Sequence, residues 1–361
     1  MNDNHNRSDY PSICRSLKVE LQSALWPYQQ AFLLFLCPIS LSANLAAIYY
    51  LIRNGLFNKN FKLLLGSLNF SNSMLSGATF AYSARILHSY VSDPCGLIVL
   101  NLDCTKTYLP IGIPLMAMPL VLVALSIERL SASVFYKQYG GLKGMAFPAF
   151  LFALASIVLL FQILTLFENS GVSSTTAQFL KICHDMILPN TYIQSLRFFT
   201  VVSQQLIALV IFIFVYIWDK KYYALTLNQA CNRLKIRYQL MFNIQINKAM
   251  LPSTLVCLPC FLIANLCIIA TSSADMPDNQ KTVYSNFFLV SFNVYVFLQP
   301  VILFSCNKWF KNALKSDFFR LVSTMGCKMQ MMTNHVGPSE SDHKRQDVTK
   351  KYFAELDQMW S

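Results

Sequence analysis

Residues 108–129 read YLPIGIPLMAMPLVLVALSIER, and this stretch decides the fold class. The segment Tyr108–Ile127 contains no Asp, Glu, Lys or Arg, and the charged pair Glu128 and Arg129 follows it directly. A helix needs about 20 predominantly apolar residues to cross a lipid bilayer. The stretch therefore predicts a membrane-spanning helix that ends at a charged boundary.

Six further stretches share these properties, so the chain is predicted to be an all-α membrane protein with a seven-transmembrane helix bundle. Its composition agrees, because 55% of the residues are hydrophobic, only 13% are charged and the mean hydropathy is +0.42. A soluble protein usually carries about 25% charged residues. The predicted spans are Ala31–Ile52, Leu63–Ser83, Tyr108–Ile127, Met145–Phe167, Phe198–Trp218, Ala249–Thr271 and Val283–Ser305.

The basic residues predict the direction in which the chain crosses the membrane. The loops on one side contain Arg53, Lys59, Lys62, Lys137, Lys143, Lys220, Lys221, Arg233, Lys235, Arg237 and Lys248. The opposite loops contain only Arg85, Lys106, Lys181, Arg197 and Lys281. Cytosolic loops collect Lys and Arg, so we expect a multi-pass plasma-membrane protein with its N-terminus outside the cell. The net charge of +12 is then explained by the Lys and Arg of the cytosolic loops, and no nucleic-acid module or partner is predicted.

Three regions follow from this topology. Residues 1–28 form an extracellular N-terminal segment, residues 29–305 the membrane domain and residues 306–361 a cytoplasmic tail. Asn6, in the sequon Asn6-Arg7-Ser8, is a predicted glycosylation site. Apolar residues at helical spacing from Phe310 onwards predict a short amphipathic C-terminal helix on the inner membrane surface, or alternatively an extension of the last span.

Four of the eleven cysteines fall outside the cell in this topology, namely Cys14, Cys95, Cys104 and Cys183. That compartment is oxidising, so disulfides are expected there. Four cysteines allow three pairings, and their positions alone do not choose among them. No metal-ligand spacing and no catalytic motif occurs, so we predict no metal site, no cofactor and no enzymatic activity.

The layout of the third span resembles that of rhodopsin-like G-protein-coupled receptors. Cys104 precedes Arg129 by 25 residues, or about 37 Å of helix, which places a thiol at one membrane face and the charged pair at the other. The resemblance implies that Cys104 bonds to Cys183 in the second outer loop. It also implies that Glu128 and Arg129 lie where a heterotrimeric G protein docks. Whether Cys14 and Cys95 form a second disulfide is left undecided by the sequence.

Other positions match that family only in part. Asn72 stands where the second helix usually has Asp, and Gln299 replaces the Asn of the Asn-Pro-x-x-Tyr motif. Residues 257–259 read Cys-Leu-Pro, without the usual tryptophan, and Leu130 replaces the Tyr that usually follows the arginine. The chain therefore departs from mainstream members of the family.

A narrower resemblance covers the whole membrane domain. Residues 128–132 (ERLSA) and 237–243 (RYQLMFN) resemble the Glu-Arg-x-x-Ala and Arg-Tyr-Gln-x-x-Glu-Asn segments of nematode serpentine chemoreceptors. The chain most resembles the Sra superfamily, class alpha/beta. This implies a chemosensory receptor for an environmental chemical, coupled to a heterotrimeric G protein and located in the cilia or dendrites of sensory neurons.

The predicted spans contain no ionisable side chain apart from the pair at the inner end of the third. An intramembrane charge normally marks a charged ligand or an ion path, so we expect a small neutral or apolar ligand. Candidate ligand-binding residues are chosen by position, and each could instead serve ordinary helix packing. They are Ile111, Leu115, Met116, Phe261, Asn265, Leu289 and Asn293.

A transporter or channel for a small neutral solute is the alternative function. The lack of an internal repeat and of charge at the membrane midplane argues against it. GTP loading of a G protein, as opposed to solute movement into vesicles, distinguishes the two.

Overall fold

Six long α-helices account for most of the residues that the structure, a computed structural model, describes. The described residues are 14–15, 17–18, 25–53, 59–135, 179–180, 191–227, 234–271, 276–307 and 310–317. The helices are α1 (Leu25–Arg53), α2 (Lys59–Ser92), α3 (Asn101–Val134), α4 (Thr191–Leu227), α5 (Leu234–Thr271) and α6 (Asp278–Cys306). The described residues also include a 3-10 helix, Pro94–Leu97, and the two-residue strands β1 (Val99–Leu100) and β2 (Phe179–Leu180).

Five of these helices contain segments that are long and apolar enough to cross a membrane. The segments are Leu25–Arg53, Thr107–Val134, Phe199–Leu225, Leu240–Thr271 and Asn279–Cys306, and they correspond to the predicted first, third, fifth, sixth and seventh spans. The internal prolines interrupt none of these helices, because packed membrane helices can satisfy the freed backbone groups. The prediction of an all-α membrane bundle is confirmed.

Helix α2 contains the predicted second span, Leu63–Ser83, and is less apolar because its polar side chains point into the bundle. The buried ones are Asn69, Asn72, Ser73, Ser76, Thr79 and Ser83. On its outer face, Leu63 and Phe70 are exposed. An apolar exterior around a polar interior suits lipid as the surrounding solvent, where hydrogen bonds between helices support association.

The six helices form a closed ring in chain order. Each helix packs against the next, from α1 through α6, and α6 returns to α1. Helix α3 is the most enclosed of the five apolar segments and also contacts α5 across the ring. Side chains on the inner faces of α3, α4 and α5 can therefore meet.

The bundle has two ends, named here after Cys95 and Arg129. Phe61, near the start of α2, lies against Arg129, near the end of α3, so these helices are antiparallel. Asp219, near the end of α4, bonds to Ser133, near the end of α3, so α3 and α4 are parallel.

The end of α3 and the start of α4 therefore lie at opposite ends of the bundle. The chain leaves the Arg129 end at residue 135 and is back at the Cys95 end at β2, which pairs antiparallel with β1. The predicted fourth span, Met145–Phe167, falls in this interval and lies outside the described residues.

A short helix over residues 310–317 follows α6. Asn307 interrupts the two helices with an extended backbone, and its side-chain oxygen accepts from the Phe310 N–H at 3.4 Å. Phe310 is buried against Phe304, whereas Lys311 is exposed. This is the predicted amphipathic helix, separate from the last span. The chain divides into two compact units, Met1–Ala313 and Leu314–Ser361.

Candidate functional site

Arg129 lies at the end of α3 and is buried, with 1% of its surface exposed. Two of its guanidinium nitrogens donate to the carboxylate of Glu128, which is also buried. The guanidinium carbon lies 4.6 Å from the centre of the Phe61 ring of α2. The Nη1 group donates to Oδ1 of Asn243 on α5 at 3.4 Å. Arg129 therefore connects three helices through an ion pair, a cation–π contact and a hydrogen bond.

Helix α4 joins the same cluster through Asp219. The hydroxyl of Ser133 donates to Asp219 Oδ2 at 2.9 Å, and Asn247 Nδ2 donates to the same oxygen at 3.3 Å. Asn243 Nδ2 donates to Ser133 Oγ at 3.4 Å. The cluster thus links α3, α4 and α5 at the Arg129 end. Its six members, referred to below as the Arg129 network, are Glu128, Arg129, Ser133, Asp219, Asn243 and Asn247.

Helical periodicity explains why these side chains meet. In α4 the residues on the buried face recur every three or four positions and end at Asp219; they are Gln205, Ala208, Phe212, Val215 and Asp219. Residues four apart share one face of a helix, as Arg129 and Ser133 do on α3 and Asn243 and Asn247 do on α5. The inward faces of three neighbouring helices therefore present polar groups at the same level.

The predicted pair Glu128 and Arg129 is brought together, but sequence reasoning missed Asp219. The fifth span was predicted to end at Trp218, which assigned the next residue to a basic loop. In the structure α4 continues to Leu227, and the apolar segment Phe199–Leu225 contains Asp219. The signal that could have revealed it is the buried stripe, which the aspartate extends by one helical step.

A second polar cluster ties α1, α2 and α6 together in the middle of the bundle. Asn44 Nδ2 donates to the backbone oxygen of Val296 at 3.0 Å. Asn72 Nδ2 donates to Asn44 Oδ1 at 3.3 Å and to Gln299 Oε1 at 3.4 Å. Asn72 and Gln299, which depart from the rhodopsin-like pattern, thus still contact each other. They do so through neutral amides, where that pattern has an aspartate in the second helix.

Asn293 on α6, a predicted ligand-binding residue, already has partners in the bundle. Its Nδ2 donates to Thr79 Oγ1 at 3.4 Å and to the Leu289 backbone oxygen at 2.9 Å. Its Oδ1 accepts from the Cys37 thiol at 3.4 Å. These contacts join three helices, so Asn293 serves packing in this state, and a role in ligand binding stays a prediction.

The other predicted ligand residues differ in exposure. Ile111, Leu115, Phe261 and Leu289 are buried in the apolar core, whereas Met116 and Asn265 are partly exposed. Phe261 packs edge-to-face against Phe292, with ring centres 4.5 Å apart. The ligand role of this set remains a prediction, and Met116 and Asn265 are the members with exposed surface to offer.

At the Cys95 end, the disulfide between Cys14 and Cys95 is formed. It holds the N-terminal segment against the 3-10 helix, and Leu17 beside it is fully buried. Of the three possible pairings, only the one that also joins Cys104 to Cys183 remains compatible with this bond.

The strand pair brings the segment at Phe179–Leu180 next to the start of α3, and these are the two regions that the predicted second disulfide would join. The side chain of Cys104 and the residues Cys183 and Asn6 lie outside the described part, so that disulfide and the glycosylation remain predictions.

Comparison with known proteins agrees with this architecture. The sequence model of the serpentine type seven-transmembrane G-protein-coupled receptor class ab chemoreceptors matches residues 13–325. No individual curated protein matches the chain. The matched region begins just before Cys14, includes the described helices and the Arg129 network, and extends past the short helix after α6. The chain therefore belongs to the serpentine class ab chemoreceptor family of seven-transmembrane G-protein-coupled receptors.

Proposed function

We propose that this chain is a chemosensory receptor that binds a small, neutral or apolar ligand among α3, α5 and α6 and activates a heterotrimeric G protein at the Arg129 end. Membership of a chemoreceptor family supports the sensory role. The single observation that carries the coupling role is the burial of Arg129 in a network that joins α3, α4 and α5.

Arg129 suits a conformational switch for physical reasons. A guanidinium stays charged at any physiological pH and offers five donors in a rigid plane. In this state Glu128 and Asn243 accept hydrogen bonds from it and Phe61 covers one face. When α5 moves away from α3, the bond to Asn243 breaks and a donor becomes available to a G-protein helix. A ligand that binds the opened bundle more tightly shifts the population towards it.

Charge supports a cytosolic location for this end. Arg53, Lys59, Lys220, Lys221 and Lys248 all lie towards the Arg129 end, and each is exposed. Lys and Arg concentrate on the cytosolic side of membrane proteins. We therefore propose an extracellular N-terminus at the Cys95 end and a plasma-membrane location, in sensory cilia or dendrites, as the chemoreceptor class implies.

The ligand proposal is supported by the chemistry of the helices that would surround it. The candidates on α3 and α5 are apolar except for Asn265, whose Nδ2 donates to the Phe261 backbone oxygen at 2.7 Å. Such a lining favours an apolar or neutral molecule with one or two hydrogen-bonding groups. The proposed partners of the receptor are then a small molecule, a G protein and the lipid membrane.

The test is nucleotide exchange by the purified receptor in lipid nanodiscs with a panel of G proteins, with and without a library of small neutral odorants. We expect Arg129→Ala to reach the cell surface normally and to abolish exchange. Arg53→Ala, which removes an exposed arginine at the same end, is the matched control and should retain exchange. Normal exchange by Arg129→Ala would contradict the coupling role. Solute flux into vesicles without exchange would establish a transporter or channel instead.

A further inference from the structure

Asp219 is a buried acidic side chain in a predominantly apolar helix. It has no solvent exposure, while the next two residues, Lys220 and Lys221, are exposed. The aspartate thus points into the bundle and the lysines point away from it. An acidic group placed this way loses its hydration and must be compensated by protein groups.

Its hydrogen bonds do not compensate a full negative charge. Oδ2 accepts from the Ser133 hydroxyl at 2.9 Å and from Asn247 Nδ2 at 3.3 Å. Within the described part of the chain, Oδ1 of Asp219 and Oδ1 of Asn247 are both buried without a hydrogen-bond donor. An ionised carboxylate has acceptor sites on both oxygens, so one half of this group is unsatisfied.

Its electrostatic partners do not compensate the charge either. On α3, Arg129 attracts it, but that guanidinium is ion-paired with Glu128, which leaves the pair neutral. On α5, the nearby cation Lys248 is exposed, as is Lys220 on its own helix. Among the described residues Asp219 has no ion pair. An unpaired ionised carboxylate in such a place costs several kcal/mol in desolvation.

A proton resolves both deficits. It makes the group neutral, which removes the desolvation cost, and it adds one O–H donor where buried acceptors lack one. Asn247, which already contacts the carboxyl group, has the unpartnered acceptor that such a donor needs. The Ser133 bond is kept in either charge state because the hydroxyl donates to Oδ2.

We infer that Asp219 is a proton-binding site, occupied while the ends of α3, α4 and α5 are joined, and that its proton passes to water when these ends separate. The acceptor is bulk water or buffer at the Arg129 end. The assignment of the separated state to G-protein binding rests on the proposed function, whereas the proton site itself does not.

The sign of the coupling follows. The closed state holds one proton more than the open state, so acid favours the closed state and alkali favours the open one. For a single proton, the open-to-closed ratio changes by at most about tenfold per pH unit. Asp219→Asn remains neutral at every pH, so this variant should hold the closed state and lose the pH dependence.

Infrared difference spectroscopy of the full chain in lipid nanodiscs reads the proton directly. Near neutral pH we expect a C=O stretch of a protonated carboxylic acid that shifts in heavy water and disappears in Asp219→Asn. Asp93→Asn, which alters an exposed aspartate at the Cys95 end, is the matched control and should keep the band. Asn247→Leu removes both the acceptor and the amide that donates to Asp219 Oδ2 but leaves the carboxyl group itself in place, so the band should persist at a shifted frequency.

Several results would overturn the site. These are the absence of the band in the wild type at neutral pH, its persistence in Asp219→Asn, or its loss when sodium replaces choline in the buffer. The last outcome would identify a sodium ion as the occupant.

Basal nucleotide exchange separates the two proposals. Exchange by the wild type should rise with pH, by at most about tenfold per unit, and should be flat in Asp219→Asn. A pH-independent wild type would overturn the coupling. If the carboxylic acid band is present but no nucleotide exchange occurs under any condition, the proton site is supported and the proposed function is refuted.

Discussion

The hydroxyl of Ser133 on α3 donates to the carboxyl group of Asp219 on α4 at 2.9 Å. The two residues are 86 positions apart in the chain, and both are buried. Their contact joins the ends of two parallel helices on the far side of the bundle from the disulfide. Because Asn247 of α5 meets the same oxygen, a single atom of Asp219 connects three helices.

Removal of the Ser133 hydroxyl should loosen this junction. In Ser133→Ala, Asp219 keeps only the weaker contact from Asn247, and Asn243 loses the hydroxyl oxygen to which it donates. The closed state therefore loses two hydrogen bonds that the open state does not make. Hydrogen bonds between membrane helices are worth about 0.6 kcal/mol on average, so the loss of both bonds corresponds to a rise in basal nucleotide exchange of about eightfold. Exchange measured without ligand checks this.

Ser131→Ala is the control for that substitution, because the Ser131 hydroxyl donates only to the Ile127 backbone oxygen of its own helix at 2.8 Å. It should leave basal exchange nearly unchanged. Equal effects of the two substitutions would show that the Ser133–Asp219 contact has no special part in closure.

Met116 tests the proposed ligand site with little disturbance of the core, because its side chain is partly exposed. Met116→Ala removes apolar contact area and should raise the half-maximal concentration of an agonist by about tenfold, the equivalent of roughly 1.4 kcal/mol. Dose–response curves of a G-protein reporter measure it. Met74→Ala, at an exposed position of α2, should leave potency unchanged. Unchanged potency in Met116→Ala would remove this residue from the site.

Asn44 should contribute to stability more than its small size suggests. Asn44→Ala leaves the Val296 carbonyl without its side-chain donor and the Asn72 amide with Gln299 as its remaining acceptor. Hydrogen bonds between membrane helices are worth about 0.6 kcal/mol on average and up to about 1.7 kcal/mol, so the melting temperature in detergent should fall by a few degrees. Ser42→Ala, on the exposed face of α1, is its control and should melt like the wild type.

The disulfide should stabilise the Cys95 end. Replacement of Cys14 and Cys95 by Ala opens a loop that spans 81 residues. Chain entropy alone gives at most about 4.5 kcal/mol for such a loop, and helices held by a bilayer reduce that figure. Non-reducing mass spectrometry should show the Cys14–Cys95 peptide in the wild type, and thermal unfolding should occur at a lower temperature in the double variant.

Cys267→Ala is the comparison for the double variant, because Cys267 is a free thiol within α5. This substitution should change the melting temperature less. Free thiols at Cys14 and Cys95 in the wild type would contradict the bond.

Several features of the fold follow from the sequence because they depend on average properties of long segments. The five apolar spans at their observed positions, a short helix after the last span and the charged pair at the end of α3 were all predicted. Each depends on composition over about twenty residues or on neighbours along the chain, and both are readable in one dimension.

Features that depend on the rotation of one helix against another were not predicted. The predicted fifth span ended at Trp218 and therefore left out Asp219, which joins α4 to the Arg129 network. Hydropathy averages over all faces of a helix, so it does not show that one face of α4 continues to this residue. Asn293 was interpreted as a candidate for ligand contact, while in the bundle its amide bonds to Thr79 and Leu289. Which of these roles a polar side chain takes depends on its partners, and partners more than 200 positions away leave no local trace.

The amino-acid sequence alone determined that this chain crosses a membrane, where it crosses and which family it resembles, because the free energy of moving apolar segments from water to lipid depends on each segment by itself. Only the tertiary structure decided that Arg129, Asp219 and Asn243 form one network and that Cys14 is bonded to Cys95. Those outcomes require the inner faces of separate helices, or distant loops, to come within a few ångströms of each other, and close packing sets that distance.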